Sequence, residues 1–356
     1  MKACVFGAGG IKGAVYAKAL ANMREDDMPE PEKLAGVSIG ALVAIAYATD
    51  GRRALLQELY DKVMAHRMVN KPFLGFMPRI FFNSPVDIDE ACPYIKEKLL
   101  GAPTSGCDVK VAACLAGQDF PVQVEFRVCE GDKVSEADVK RAEASASVEG
   151  VFQAVELAEG ERYCDGASGG LSMPMQSLRD FFNDGAVRQL WVFSTKPWVL
   201  APEKPRKTHS RVCRLKSRLA RGPRLSKWVT WLVPKALQTR MLRAWPAFSD
   251  DDVAQTQLLL GVGSEQELAH GVCVFERRNG ATRLAATWSE ASGEFVALSQ
   301  VRGKLVVLVA PRADLYTYAN LTFLSSDDAD FSPLDAAADD MSRKLTAASR
   351  FVSSCA

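Results

Sequence analysis

Ser38 lies in Gly36-Val37-Ser38-Ile39-Gly40, a G-x-S-x-G pattern set between a short β-prone run, Leu34 to Val37, and a nearly all-apolar run, Ala41 to Ala48. A serine at such a strand-to-helix corner takes a strained backbone conformation. Its hydroxyl then stands at the sheet edge on a helix N-terminus that favours developing negative charge. The chemistry this suits is nucleophilic attack on an acyl carbon. The pattern is weak by itself, because a chain of this length holds roughly 0.1 chance matches, and an N-cap serine in a tight turn is the plainer alternative.

A second segment bears on the same chemistry. Gly7-Ala8-Gly9-Gly10-Ile11-Lys12-Gly13 follows the β-prone residues 2 to 6 and opens an alanine-rich helical stretch, Ala14 to Met23. Backbone N–H groups at such a loop lack intrahelical partners and can face an anion, so the loop is suited to hold an oxyanion. One preorganised donor of this kind is worth ~3 to 4 kcal/mol in the transition state. A dinucleotide fingerprint is the competing reading. Against it, the third glycine falls one place late, with Lys12 where glycine is wanted, and Glu30 and Glu32 lie in a Pro-rich stretch rather than on a second strand. A P-loop is excluded because Lys12 is followed by Gly13 instead of Ser or Thr.

The third segment is Asp165-Gly166-Ala167, preceded by Tyr163-Cys164 and, further upstream, by Ala144-Ser145-Ala146-Ser147-Val148-Glu149-Gly150-Val151-Phe152. An acidic turn residue before glycine is its plain reading. In the order glycine loop, G-x-S-x-G, A-S-x-S-x-x-G-x-F and D-G-A, residues 3 to 195 resemble the patatin-like phospholipases. The resemblance implies Ser38 as nucleophile and Asp165 as its base, with the backbone N–H groups of Ala8, Gly9 and Gly10 as the oxyanion hole. Gly7, Lys12, Gly13, Gly36, Gly40 and Gly166 would support these motifs. It also implies no metal or other cofactor in the chemistry and a phospholipid or other acyl-lipid substrate. The loop starts Gly7-Ala8 where the family often has Asp-Gly or Gly-Gly, and the added methyl at Ala8 is expected to restrict the approach of an acyl group. Val37 stands for a commoner threonine, and Gln153-Ala154 stand where two prolines are frequent.

A carboxylate with an unperturbed pKa of ~3.9 is a poor base for a serine hydroxyl. Desolvation must raise that of Asp165, and lipid filling the site is the available source of it. A conventional hydrolase would use a late histidine instead. His270 is the candidate, on an α/β-hydrolase esterase reading, while His66 and His209 sit among charged neighbours. A different class, a catalytically silent lipid-binding or interaction protein on the same fold, stays open at this point.

The elements around these residues set the fold class. Two strand-to-helix units in succession argue for an α/β fold, a three-layer α/β/α sandwich with a mostly parallel central sheet. Alternating segments at 109 to 112 and 122 to 126 read as a hairpin, Val139 to Ser147 as a helix, and Gln189 to Phe193 and Lys304 to Ala310 as buried strands. Residues 325 to 340 read as an acidic loop before a last helix. The expected organisation is a catalytic core over 1–195, a basic segment and insertion over 196–300, and a strand and helix over 301–356 that complete the core.

Net charge is +1 over 356 residues, with an apolar fraction of 48%, so the whole molecule makes no electrostatic argument for an acidic partner. One segment does. Lys196 to Arg243 holds fourteen Lys or Arg against a single acid, Glu203. Within 211–245, Val212, Leu215 and Leu219 recur at helical spacing among arginines, and Trp228, Trp231 and Trp245 follow, a pattern suited to docking on an anionic membrane surface or to a lid. No nucleic-acid module organises this charge. Nine cysteines without a C-x-x-C pair and three scattered histidines give no zinc site and read as reduced thiols. The N-terminal apolar run is too short for a signal peptide and no window spans a bilayer, so a cytoplasmic, peripherally membrane-associated protein is expected, with export lacking a cleavable signal and an activating protein partner both left open.

Overall fold

The computed structural model describes residues 1–9, 13–65, 94–118, 122–147, 152–158, 160–168, 171–195, 198, 251–262, 268, 271–312 and 332–355. The expected docking segment 211–245 and all three histidines lie outside these residues, as do Gly10, Lys12 and the stretch Val148 to Val151.

The centre of the molecule is a run of five parallel strands. In sheet order they are β11 (Lys304–Val309), β7 (Gln189–Phe193), β1 (Lys2–Phe6), β2 (Lys33–Val37) and β3 (Asp108–Leu115). Both flanks are antiparallel. β4 (Gln123–Val128) and β6 (Glu161–Asp165) pair with β3, and β5 (Val155–Ala158) pairs with β6. On the other side β8 (Val272–Arg278), β9 (Ala281–Ser289) and β10 (Glu294–Ala297) extend the sheet from β11. Residues 272–297, read from the sequence as part of an insertion, therefore belong to the same sheet as the glycine loop and Ser38.

The central strands are near-continuous apolar runs because both faces are covered, the usual pattern of a parallel sheet. Their alternate residues divide between two cores. Cys4 and Phe6 of β1, Trp191 and Phe193 of β7, and Leu305, Val307 and Val309 of β11 face one core. Ala3, Val5, Leu190, Val192, Val306 and Leu308 face the other. The first core is closed by helices α1 (Ala14–Ala21), α2 (Ile39–Tyr47), α3 (Arg52–Ala65), α4 (Glu136–Ala146) and α7 (Ser332–Ser354). The second is closed by α5 (Met175–Asn183) and α6 (Asp251–Leu260). That is a three-layer α/β/α sandwich.

Helix α2 is buried at every position, so nothing in it is amphipathic and its apolar sequence is a consequence of lying inside. Helix α7 begins earlier than the sequence suggests. Its acidic first turns were expected to be loop, yet Leu334, Ala337, Ala338, Met341 and Leu345 recur at helical spacing and are buried. The acids face outward to partners. Asp335 accepts from Lys18 and Tyr60, and Asp340 pairs with Arg343 and Lys344. Local acidity is thus compatible with helix because the apolar stripe, not the charge, decides burial.

Candidate active site

Strand β2 ends at Val37, and the chain turns at once into α2. Ser38 has φ 57° and ψ −129°, one of three non-glycine residues with positive φ among those described. Such a conformation costs about 1–3 kcal/mol and persists only where the surroundings over-determine it. The glycines of the motif explain how the corner closes. A Cβ on Gly36 would lie 2.1 Å from the Gly40 carbonyl oxygen, and one on Gly40 would lie 2.4 Å from that of Phe6. Only glycine at both positions lets the strand, the helix and the end of β1 approach this closely.

Asp165 reaches Ser38 through strand register. On β3, Ala112 pairs with Val37 at the end of β2, and the next residue, Ala113, pairs with Asp165 at the end of β6. Strand β4 occupies the opposite edge of β3 along the same residues. Strands β2 and β6 therefore share one edge of β3 and meet head to head, with Ser38 and Asp165 at the junction. Gly166 is required there, since a Cβ would fall 2.2 Å from the Ala112 carbonyl oxygen and 2.6 Å from Val37 Cγ2.

The Ser38 hydroxyl donates to Asp165 Oδ2 at 2.6 Å, in the range of a charge-assisted bond. Asp165 Oδ1 accepts from the Ala167 amide at 2.8 Å. Both side chains are buried, Ser38 at 5% exposure and Asp165 at 4%. Burial pushes the Asp165 carboxyl up from 3.8 to about 6, against the two hydrogen bonds, which lower it. The protein interior alone supplies this shift, so lipid in the site is not required for it. The direct contact leaves no room for an imidazole between the two groups.

The end of α4 holds both residues in place. Ser145 Oγ accepts from the Ser38 amide at 2.9 Å and donates to the Ala112 carbonyl at 2.6 Å. The Asp165 amide donates to the Ser147 carbonyl at 2.8 Å, and the Gly166 amide to that of Ser145 at 3.4 Å. The A-S-x-S stretch is thus the brace between Ser38 and Asp165. Gln123, on β4, adds a further tie: its side chain donates to the Gly166 carbonyl and accepts from the Met175 amide at the start of α5.

The glycine loop lies beside this junction. The Ala8 side chain packs in a small cluster with Val37, Ala112 and Ala167. Its methyl, expected to crowd an acyl group, is turned into the protein and is 4% exposed. The Ala8 amide, expected as an oxyanion donor, instead donates to the Ser172 carbonyl at 2.7 Å. Gly9 remains, next to Gly10 outside the described residues, and the amides of Ile39 and Gly40 open α2 without intrahelical acceptors. Gly13 is needed where α1 begins, because a Cβ there would meet Ile39 Cγ2 at 2.1 Å. Gly7 is fixed at both ends, its amide donating to Phe193 and its carbonyl accepting from Tyr16.

Sequence reasoning did not single out Ser172, Thr195, Gln123 or the Ile39 amide. Ile39 was available from the rule that the residue after a nucleophile elbow supplies an N–H. The others carry no local signal. Among the described residues no three His, Cys, Asp or Glu are grouped to hold a metal ion, and no helix is long and apolar enough to cross a membrane.

Comparison with known proteins agrees with this arrangement at the level of family. No curated protein matches the chain by sequence. Among solved structures the chain is similar to VipD from Legionella pneumophila at 12% identity and a TM-score of 0.27, over 73% of this chain and 66% of that one, too distant to carry an argument. The match thus spans less than two thirds of the VipD chain. A family model described as patatin-like phospholipase matches residues 4–183, just over half of the sequence and the part that holds the glycine loop, Ser38, the α4 brace and Asp165. The chain belongs to the patatin-like phospholipase family.

Proposed function

We propose that this chain is a serine lipid acyl hydrolase of phospholipase A type, working through an acyl-Ser38 intermediate with Asp165 as its only side-chain base. The observation that carries the reading is the 2.6 Å contact between a strained, buried serine hydroxyl and a buried carboxylate whose pKa is raised to about 6. A base poised near neutral pH combines a largely ionised population with useful proton affinity.

In the first half-reaction Ser38 Oγ attacks the acyl carbonyl carbon as its proton passes to Asp165 Oδ2. The carbonyl oxygen becomes an oxyanion facing the amides of the glycine loop and of the α2 N-terminus. Collapse of that intermediate breaks the bond to the lysolipid alcohol, which leaves with the proton held on Asp165. In the second half, water gives a proton to Asp165 and its oxygen attacks the acyl-serine. The fatty acid departs and the proton returns to Ser38. The acidic step and the basic step use the same carboxyl, so one group of intermediate pKa serves both.

Lipid substrates are met in a surface, and the stretch 211–245 is the part of the sequence suited to hold an anionic one. Flotation with liposomes is expected to depend on anionic lipid; equal flotation with neutral lipid removes that assignment. The hydrolase itself is tested by release of fatty acid from a panel of phospholipids and neutral glycerides, together with labelling by a fluorophosphonate. Wild type is expected to release acid and to label, and Ser38→Ala and Asp165→Asn to do neither. A wild-type protein that labels no better than Ser38→Ala is a silent lipid-binding protein on this fold.

A further inference from the structure

Thr195 occupies an unusual position relative to the glycine loop. It follows β7 by two residues, is 4% exposed, and its hydroxyl donates to the Ala8 carbonyl at 2.6 Å. Its side chain also stands over Gly9. A Cβ on Gly9 would lie 2.2 Å from Thr195 Cγ2 and 2.3 Å from Thr195 Oγ1, so glycine is the residue that fits beneath it. The other end of Ala8 is fixed as well, its amide donating to the Ser172 carbonyl at 2.7 Å.

The direction in which these bonds pull has a consequence for Gly9. The Ala8 carbonyl and the Gly9 amide belong to one peptide unit, and in a trans peptide C=O and N–H point opposite ways. Drawing the carbonyl toward Thr195 therefore turns the Gly9 N–H away from Thr195. In the sheet, β7 lies on one side of β1 and β2 on the other. Thr195 lies two residues beyond the first of these neighbours and Ser38 directly follows the second, with the glycine loop between them at the end of β1. Across the sheet, the side of the loop away from Thr195 is the Ser38 side. The Ala8 methyl, packed on Val37, Ala112 and Ala167, sets how far the peptide can rotate about this direction.

We infer that Thr195 is a positioning residue for acyl transfer: its hydroxyl, held on the Ala8 carbonyl, aims the Gly9 amide at the oxyanion that forms on Ser38. The inference deepens the hydrolase reading and rests on it. Without the hydroxyl the Ala8–Gly9 peptide is free to rock, and the donor is lost from the transition state while the lipid-binding surface is unchanged. A threonine at this place would otherwise be only a small buried polar residue between two strand ends. The geometry gives it a rotational task, and the task has a signature that packing alone lacks.

The experiment compares Thr195→Val, which keeps the shape and removes the hydroxyl, with Thr195→Ser, which keeps the hydroxyl and removes the methyl. Fatty-acid release is measured per active site titrated with a fluorophosphonate, beside the inhibition constant of a trifluoromethyl ketone lipid analogue, whose adduct carries the oxyanion. Thr195→Val is expected to lose about 100-fold in kcat at unchanged KM, the scale of one oxyanion donor, and to lose the same factor in affinity for the ketone. Thr195→Ser is expected to remain within a few-fold of wild type in both. Equal losses in Val and Ser, or a fall in kcat without a parallel fall in ketone affinity, assign Thr195 to packing and overturn the inference. Should Thr195→Val not fold, Thr195→Ala against Thr195→Ser isolates the same hydroxyl. With Ser38→Ala inactive and Thr195→Val as active as wild type, this inference alone fails; with Ser38→Ala as active as wild type, the hydrolase reading fails and takes the inference with it.

Discussion

Asp165→Asn separates what the carboxyl costs the fold from what it does for the reaction. Burial lifts its pKa from 3.8 to about 6. At about 1.36 kcal/mol per unit, the ionised form is about 3 kcal/mol less favourable in the folded chain than in the unfolded one. The pH window follows from the protons bound. Below 3.8 the carboxyl is protonated in both states, and no cost arises. Between 3.8 and about 6 the folded chain keeps a proton that the unfolded chain has released, so stability falls as pH rises. Above about 6 the loss is complete.

Asparagine has nearly the same shape, stays neutral throughout and can still accept from the Ala167 amide through its carbonyl oxygen. The stability of Asp165→Asn relative to wild type should therefore grow by about 2 to 3 kcal/mol between pH 4 and 8, whatever constant offset the amide introduces. Urea unfolding of both proteins at intervals across that range measures it, and fatty-acid release by the variant should be lost at every pH. A stability difference that stays flat from pH 4 to 8 would refute the claim that burial tunes this carboxyl, even if the variant is inactive.

For the wild type, kcat/KM should rise with pH through an apparent pKa of about 6 and then level, because the base must be ionised in the free enzyme; a pH–rate profile lying flat down to pH 4.5 contradicts this. Ser38→Gly and Ser38→Ala should both be inactive, but the glycine variant should be about 1 kcal/mol more stable, since only glycine relieves φ 57° and ψ −129°; equal unfolding midpoints would show that the elbow is unstrained. Ser145→Ala leaves the buried Ser38 amide and Ala112 carbonyl without their shared partner. It should cost about 2 kcal/mol of stability and about tenfold in kcat, measured by denaturation and by active-site-normalised turnover.

The elements that follow from local pattern were legible in the sequence. A glycine-bounded serine between an apolar strand and an apolar helix can only be a tight strand-to-helix corner, and β2, Ser38 and α2 form one. Strands β7 and β11 announce themselves as apolar runs because both their faces are buried. What brings Asp165 to Ser38 has no such signature. It depends on β6 entering the sheet at Ala113, one residue beyond where β2 leaves it, and register between strands some fifty residues or more apart is fixed by the whole sheet. The contacts at Ala8 were illegible for another reason. Ser172 acts there through its backbone carbonyl, which any residue carries, and Thr195 comes within reach only because β7 and β1 are neighbours. The family resemblance pointed to Ser38 and Asp165 as a pair without supplying the strand register that joins them.

On the proposed reading, the same geometry lets Asp165 act on Ser38 directly, with no imidazole between them. A lone carboxylate serves as a base only if it is kept from being too well satisfied, and each hydrogen bond to the ionised form pulls its pKa back down. Among the described residues Asp165 receives two, one from the Ser38 hydroxyl and one from the Ala167 amide, and burial outweighs them in setting its pKa. Head-to-head strands make that sparseness attainable. The carboxyl lies at the end of β6, where the sheet interior desolvates it, and the chain turns immediately at Gly166 so that the Ala167 amide comes back to meet it. A carboxylate at a helix N-terminus would instead face several free amides and a favourable dipole, and would be held too acidic to take a proton from serine. Under the proposed mechanism, Asp165 on a strand end and Ser38 on a helix start would give the helix's free amides to the oxyanion and leave the carboxylate its basicity.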